Sequence, residues 1–342
     1  MKYTSSHALN CFTSSRPCRR HGEKHWSERR ELVTGYTCYK IVLWIFRTLP
    51  PTLMRILALP VSFFYFLFAG KARAASKKFL RRVKPLCDAP KKNFLNPLKH
   101  FAAFSLTIVE KIQGWGGKIQ FENIHFQRDD IDSLVHELEN GRGALLICSH
   151  LGNAELLRAL ASYDRTGVSR SVPVISIVDF SCNAYFNRML RELNPDSMMH
   201  IISADDVGPE TIIQLQEQIA GGGLVVIAGD RTSANTRDRY LTIPFLGSDA
   251  PFAYGPYLLA SLLNAPAYFV FALRTKDAGI FPEYDMHVHK NRISFDCPRK
   301  ERKIRIRSTA ENFVHYLEYY CRKYPCQWYN FFDFWAFPET LI

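Results

Sequence analysis

Residues 144–163 read ALLICSHLGNAELLRALASY. Five apolar residues, ALLIC, form a run of the length of a buried strand. The turn SHLGN follows. NAELLRALASY then places apolar residues at helical spacing. The same alternation fills the chain after residue 100. Strands are expected at 118–126 (KIQFENIHF), 172–178 (VPVISIV), 199–203 (MHIIS), 224–230 (LVVIAGD) and 267–274 (AYFVFALR). Helices are expected at 101–115, 183–193 and 252–264. A further helix at 129–141 has Asp at its start and Gly at its end, and one at 208–223 has Pro209 in its first turn. Residues 284–290 and 292–297 suggest a late hairpin. A helix over 308–325 would open on a capping box, Ser308 with Glu311. Strands alternating with helices indicate an α/β fold, a single mostly parallel central sheet flanked by helices.

The net charge of +12 is unevenly placed. Residues 1–100 carry 20 Lys/Arg against 4 Asp/Glu, and residues 101–342 carry 24 against 28. A nucleic-acid enzyme would place its positive charge around a working groove. Here the charge flanks an apolar segment, a pattern suited to anionic lipid headgroups and not to nucleic acid. That segment is IVLWIFRTLPPTLMRILALPVSFFYFLFAG, residues 41–70, interrupted by Arg47, Pro50, Pro51, Arg55 and Pro60. Its best uninterrupted window, 56–70, has 15 residues, against the roughly 20 of a straight span. A weak single span and a broken helix lying in the interface both fit this length. If the segment spans, its basic flank and the rest of the chain are cytoplasmic. Three regions follow: 1–35, basic and expected to be poorly ordered; 36–98, a hydrophobic membrane anchor with its basic flank; and 99–342, the α/β domain.

Nine cysteines without a C-x-x-C pair make neither a disulfide framework nor a zinc ribbon. Cys148 reads as a small buried filler rather than a nucleophile. No phosphate-binding glycine loop, nucleophile elbow or H-E-x-x-H is present. His287 and His289 share one strand face, but two ligands fall short of a metal site. Four stretches stand out. His150 lies where α/β folds place their ligands, at the C-terminal end of a strand. Glu155, in the next turn, could accept its imidazole N–H and leave the other nitrogen as a base; a histidine that only caps the helix is the alternative. AGDR brings Asp230 and Arg231 to another strand end, where Arg231 suits a phosphate or carboxylate unless it is a surface ion pair. IPFLGSDAPFAYGPYLLA, with Phe245, Leu246, Gly247, Pro251 and Gly255–Pro256, suggests a loop lining an apolar groove. CQWYNFFDFW (326–335) suits a membrane interface, a lipid-binding wall or a buried plug.

Taken together and in order, these motifs resemble the lysophospholipid acyltransferase superfamily, in its lipid A late-acyltransferase branch. The matching elements are SHLGNAE with its His-x4-acid spacing and GDR about 80 residues later. PFLGSDAPFAYGPYLLA and the closing PCQW (325–328) complete the set. The resemblance covers about residues 35–335. It implies a glycerol-3-phosphate acyltransferase-like fold and direct acyl transfer from an acyl carrier protein or coenzyme A thioester to a hydroxyl or amine of a lipid acceptor. His150 would be the general base and Glu155 its orienting acid. Asn153, Asp230, Arg231, Phe245, Gly247 and Gly255 would line the substrate site. No metal or nucleotide cofactor is implied. The location implied is the cytoplasmic face of a bacterial inner membrane. The basic stretches at 71–100 and 299–307 (RKERKIRIR) are candidates for docking an acidic carrier protein.

The sequence departs from the branch after the closing tryptophan, where aromatics and one Asp replace the usual arginines. Arg237 and Arg239 lack the usual spacing. An amino-acid lipid, an aryl-polyene lipid or a glycolipid therefore stands beside lipid A as the acceptor. A non-catalytic lipid-binding relative, or a thioesterase using His150 to activate water, are the other readings.

Overall fold

In the computed structural model the apolar runs become strands. Residues 44–45, 48–87, 96–115, 123–161, 168–179, 199–232, 239–276 and 279–337 are described. The expectations for residues 1–35, for 118–122, for the helix at 183–193 and for Arg237 lie outside them. The strands are β1 (Ile124–Phe126), β2 (Ala144–Cys148), β3 (Val174–Val178), β4 (Met199–Ser203), β5 (Leu224–Ala228), β6 (Tyr240–Phe245), β7 (Ser248–Ala253), β8 (Ala267–Arg274) and β9 (Tyr284–Lys290). Seven of them form one sheet in the order β1-β9-β8-β2-β5-β3-β4, and β6 with β7 forms a separate hairpin. The run β8-β2-β5-β3-β4 is parallel throughout. β9 joins β8 antiparallel, and β1 lies parallel to β9.

The helices are α1 (Pro51–Phe68), α2 (Gly70–Val83), α3 (Pro97–Trp115), α4 (Ile131–Glu139), α5 (Pro209–Ala220), α6 (Gly255–Leu263) and α7 (Arg302–Lys323). All five residues of β2 are buried because both sheet faces are covered. Leu145 and Ile147 pack on one face with Val225, Phe269, Phe313 and Leu317. Leu146 and Cys148 pack on the other with Val226, Val270, Leu134 and Leu138. The N-terminal helices join this core. Phe79 and Val83 of α2 are buried, and Tyr65 and Phe66 of α1 meet Phe101 of α3 at 5.6 and 5.4 Å between ring centres.

Several elements differ from their expected form. Residues 292–297 are not a strand. β9 pairs with β8 on one side; on the other, β1 takes Tyr284–Met286, and Asp130 donates its N–H to Val288 O and accepts the Lys290 N–H, so that edge is already taken. α7 begins at Arg302, so Ser308 and Glu311 lie inside it and cap nothing. The preceding Arg/Lys run is itself a good helix former, and Glu311 holds Arg307 at 2.8 Å. Ala154–Ala161 winds as a 3-10 helix. The expected apolar loop in 243–260 is the β6–β7 hairpin as far as Ala253, and α6 from Gly255. Leu246 and Gly247 turn the hairpin with φ of 48° and 79°, the signature of a two-residue turn with both central residues left-handed.

Gly143 and Gly223 immediately precede the adjacent strands β2 and β5. A Cβ at Gly143 would collide with the Gly223 carbonyl oxygen. Gly143→Ala should therefore cost about 2–3 kcal/mol, read as a lower denaturant midpoint with an unchanged slope. An unchanged midpoint would show that the two strands part easily there.

Candidate active site

β2 and β5 are adjacent, parallel and in register, with Cys148 opposite Ala228. Two residues past each strand end stand His150 and Asp230, so the register alone brings them face to face. His150 Nδ1 lies 2.8 Å from Asp230 Oδ1. The other carboxylate oxygen, Oδ2, accepts the His150 backbone N–H at 3.1 Å and the Trp328 indole N–H at 3.1 Å. Asp230 is fully buried, while the His150 side chain is 38% exposed.

Burial by itself would raise the Asp230 pKa. The His150 imidazole, its hydrogen bonds and Arg231 outweigh that and hold it at about 2. Asp230 is therefore an anion, and His150 Nδ1 must be the donor. The pKa of His150 lies below the usual imidazole value, because burial and then Arg231 disfavour the cation more than Asp230 favours it. The result is a neutral imidazole with Nδ1–H on Asp230 and Nε2 as the basic nitrogen.

The aromatic C-terminal segment builds the rest of the support. It runs beside the His150 turn. Gly152 N–H donates to Gln327 O at 2.9 Å, and Tyr329 N–H to His150 O at 3.0 Å. Trp328 is fully buried among Phe79, Phe245 and Phe334, with ring centres 5.0, 5.1 and 4.7 Å away. Its carbonyl accepts from His100 Nε2 at 2.9 Å, and His100 Nδ1 meets Ser76 Oγ at 2.9 Å. Gln327 clamps the end of β8, accepting from Arg274 N at 2.8 Å and donating to Arg274 O at 2.7 Å. Of the readings offered for this stretch, the plug is the one realised around Trp328. His100 and Ser76 carry no motif; their only sequence trace is that they are polar residues among apolar helix positions.

The other expected site residues fall as follows. Glu155 does not supply the Nδ1 partner of His150; Asp230 does. The Glu155 carboxylate instead binds Lys111 of α3 at 2.7 Å. The reason is Gly152, left-handed at φ 77° and packed against the Ala272 carbonyl, which turns the chain before Glu155. Asn153 is buried; its Oδ1 accepts the Glu155 N–H at 3.3 Å, and its Nδ2 has no hydrogen-bond partner. Arg231 donates through Nε to Asn330 Oδ1 at 2.6 Å and through Nη2 to Tyr329 O at 2.7 Å. Its guanidinium also stands 5.5 Å from the Phe332 ring centre. Phe245 is fully buried under Trp328 and offers a substrate no surface. Gly247 belongs to the hairpin turn, and Gly255 opens α6.

Burial raises the Cys148 thiol pKa to about 12, as a filler requires. Asp129 joins His287 and His289 in a group whose ligand atoms lie within 4.8 Å of one another. His287 Nδ1 meets Asp129 at 2.8 Å and His289 Nε2 meets the Tyr320 hydroxyl at 2.7 Å. Those two nitrogens are hydrogen-bonded, while His287 Nε2 is buried with no hydrogen-bond partner.

Residues 23–335 match the model of the bacterial lipid A biosynthesis acyltransferase family, and the chain belongs to that family. No curated protein matches it.

Two outcomes follow from the geometry. Asp230→Asn keeps the shape but presents an amide to Nδ1, which moves the imidazole proton to Nε2. Turnover should fall at least about 1,000-fold, with the melting temperature and activity measured on the same preparation. Cys148 should resist iodoacetamide at pH 8 in the folded protein while the half-exposed Cys297 reacts. Equal labelling would contradict the buried thiol.

Proposed function

We propose that this member of the family transfers a fatty acyl chain from an acyl carrier protein or coenzyme A thioester to a hydroxyl or amine of a membrane lipid. The observation that carries the proposal is the His150–Asp230 pair, a neutral base held by a buried anion with the imidazole partly open to solvent.

His150 Nε2 takes the proton of the acceptor O–H or N–H as that atom attacks the thioester carbonyl carbon. The new bond gives a tetrahedral oxyanion. Its collapse breaks the C–S bond, and the Nε2–H of the imidazolium returns the proton to the departing thiolate. Asp230 is the positioning residue: it fixes the tautomer and stabilises the imidazolium. No acyl-enzyme is needed, in keeping with the raised pKa of the Cys148 thiol.

Arg231, oriented by Asn330 and Tyr329, is assigned to a phosphate of the acceptor or of the phosphopantetheine arm. The unpaired Asn153 Nδ2 is a donor for an acyl or acceptor oxygen. The Lys111–Glu155 pair holds the first turn after Gly152 in place. No metal or nucleotide enters this chemistry. The enzyme is assigned to the cytoplasmic face of a bacterial inner membrane, in line with the apolar helix α1 and the basic N-terminal third.

The test is transfer of labelled acyl groups from carrier-protein and coenzyme A thioesters to total membrane lipid, with wild type beside His150→Ala. A labelled lipid made only by the wild type is expected and delivers the acceptor. Equal rates, or labelled free fatty acid without an acylated lipid, would overturn the proposal. The pH profile supplies a second check. Only the neutral imidazole acts, and its pKa is lowered, so the rate should rise with pH and reach half its maximum below pH 6.5. Glu155→Gln should leave that midpoint in place and lower the rate less than Asp230→Asn does.

A further inference from the structure

Helix α1 has two unlike sides. Its inner side holds Met54, Arg55 and Ser62, all buried. Its outer side presents Leu53, Leu57, Val61, Phe64 and Phe68 at helical spacing, with Val61 66%, Phe64 60% and Phe68 84% exposed. A stripe of this size in water marks a surface made for something else. The 18 residues of α1 reach about 27 Å, a little short of the roughly 30 Å hydrocarbon core.

Length alone leaves crossing open; Arg55 decides against it. Its guanidinium donates to Gln113 Oε1 at 2.9 and 3.3 Å and to the Ile280 carbonyl at 3.3 Å. One helical turn before Gln113, Glu110 pairs with Arg274 at 2.8 Å in full burial and also accepts from the Tyr284 hydroxyl. Arg55 lies 13 residues from Phe68, about 20 Å along the axis. If Phe68 marked the near headgroups and α1 crossed, Arg55 would sit deep in hydrocarbon. Gln113 and its neighbours on the α/β domain would be dragged in with it. Lipid offers no partners for the polar backbone around Ile280.

We propose that α1 lies along the surface of an anionic bilayer, its outer stripe sunk into one leaflet and both its ends on the same side. The proposal rests on the membrane-associated lipid acyltransferase reading and specifies how that enzyme meets its membrane. Two further features match it. The helix that follows, α2, exposes Lys71, Lys77 and Arg81, and Lys84 is exposed just beyond its end, cations suited to headgroups beside an inserted helix. Phe281, 75% exposed, follows Ile280, whose carbonyl receives Arg55, and is a further exposed aromatic on the β8–β9 loop. At the other end Arg73 closes α1 by donating to the carbonyls of Phe66 and Leu67 at 2.8 and 3.0 Å. The turn into α2 is thus rigidly defined.

The experiment uses the full chain with one epitope tag at each terminus, in sealed inside-out vesicles from expressing bacterial cells. Added protease should destroy both tags. An N-terminal tag protected until detergent is added, while the C-terminal tag is lost, would show that α1 crosses and would overturn the proposal. In parallel, the purified protein is floated with vesicles of phosphatidylcholine alone or with one quarter phosphatidylglycerol. Binding should be at least about 5-fold stronger to the anionic vesicles. The double variant Val61→Glu and Phe64→Glu should lose that binding, with its melting temperature kept because both positions face outward. Wild-type binding by the double variant, or equal binding to both vesicle types, would also overturn the proposal. Acyl transfer to a detergent-dispersed acceptor should survive the double variant. Loss of activity in His150→Ala with intact vesicle binding reads the catalytic assignment separately.

Discussion

The in-register pairing of β2 with β5 is the constraint on which the site depends. Parallel strands aligned residue for residue carry their two C-terminal extensions to the same height, so His150 and Asp230 meet although 80 residues separate them. A slip of one residue would turn one of the two side chains to the opposite face of the sheet. The small residues before both strands, Gly143 and Gly223, permit the close approach that holds this register. The buried carboxylate then has three N–H donors to satisfy it: the imidazole, the His150 backbone and the Trp328 indole. A buried anion with fewer partners would shift its pKa upward and protonate.

The C-terminal segment acts as a strap over this pair. It bonds to the His150 turn through Gln327 and Tyr329, supplies the indole that steadies Asp230, and orients Arg231 through Asn330. Its own anchorage is on the N-terminal helices: His100 and Ser76 hold the Trp328 carbonyl, and Thr107 bonds the Tyr329 hydroxyl at 2.8 Å. The helices that present the apolar and basic surface therefore also hold the strap.

Much of this architecture is legible along the chain. ALLIC, VISIV, LVVIA and AYFVFALR are apolar runs of strand length, and the turns and helices between them imply a covered parallel sheet. His150 and Asp230 each carry a local sign, a polar residue at the end of such a run. What the chain does not carry is their pairing. Glu155, five residues from His150, is the nearer acid in sequence, yet the left-handed Gly152 redirects the chain and Lys111 takes the carboxylate. The start of α7 and the fate of 292–297 are misread for a related reason. A capping pattern works wherever it falls, and a strand pattern needs an open edge to join.

The alternation of strand and helix, the polar residues at strand ends, the uneven charge and the apolar stretch before the domain can all be read along the chain. These follow from local patterns: periodicity, residue type and neighbours within a few positions. That His150 answers to Asp230, that Trp328 and His100 belong to the same network, and that Arg55 ties α1 to the domain emerge only in the folded chain. Each of those contacts joins residues at least 58 positions apart. Their meeting depends on sheet order, register and helix packing, and those are properties of the whole chain.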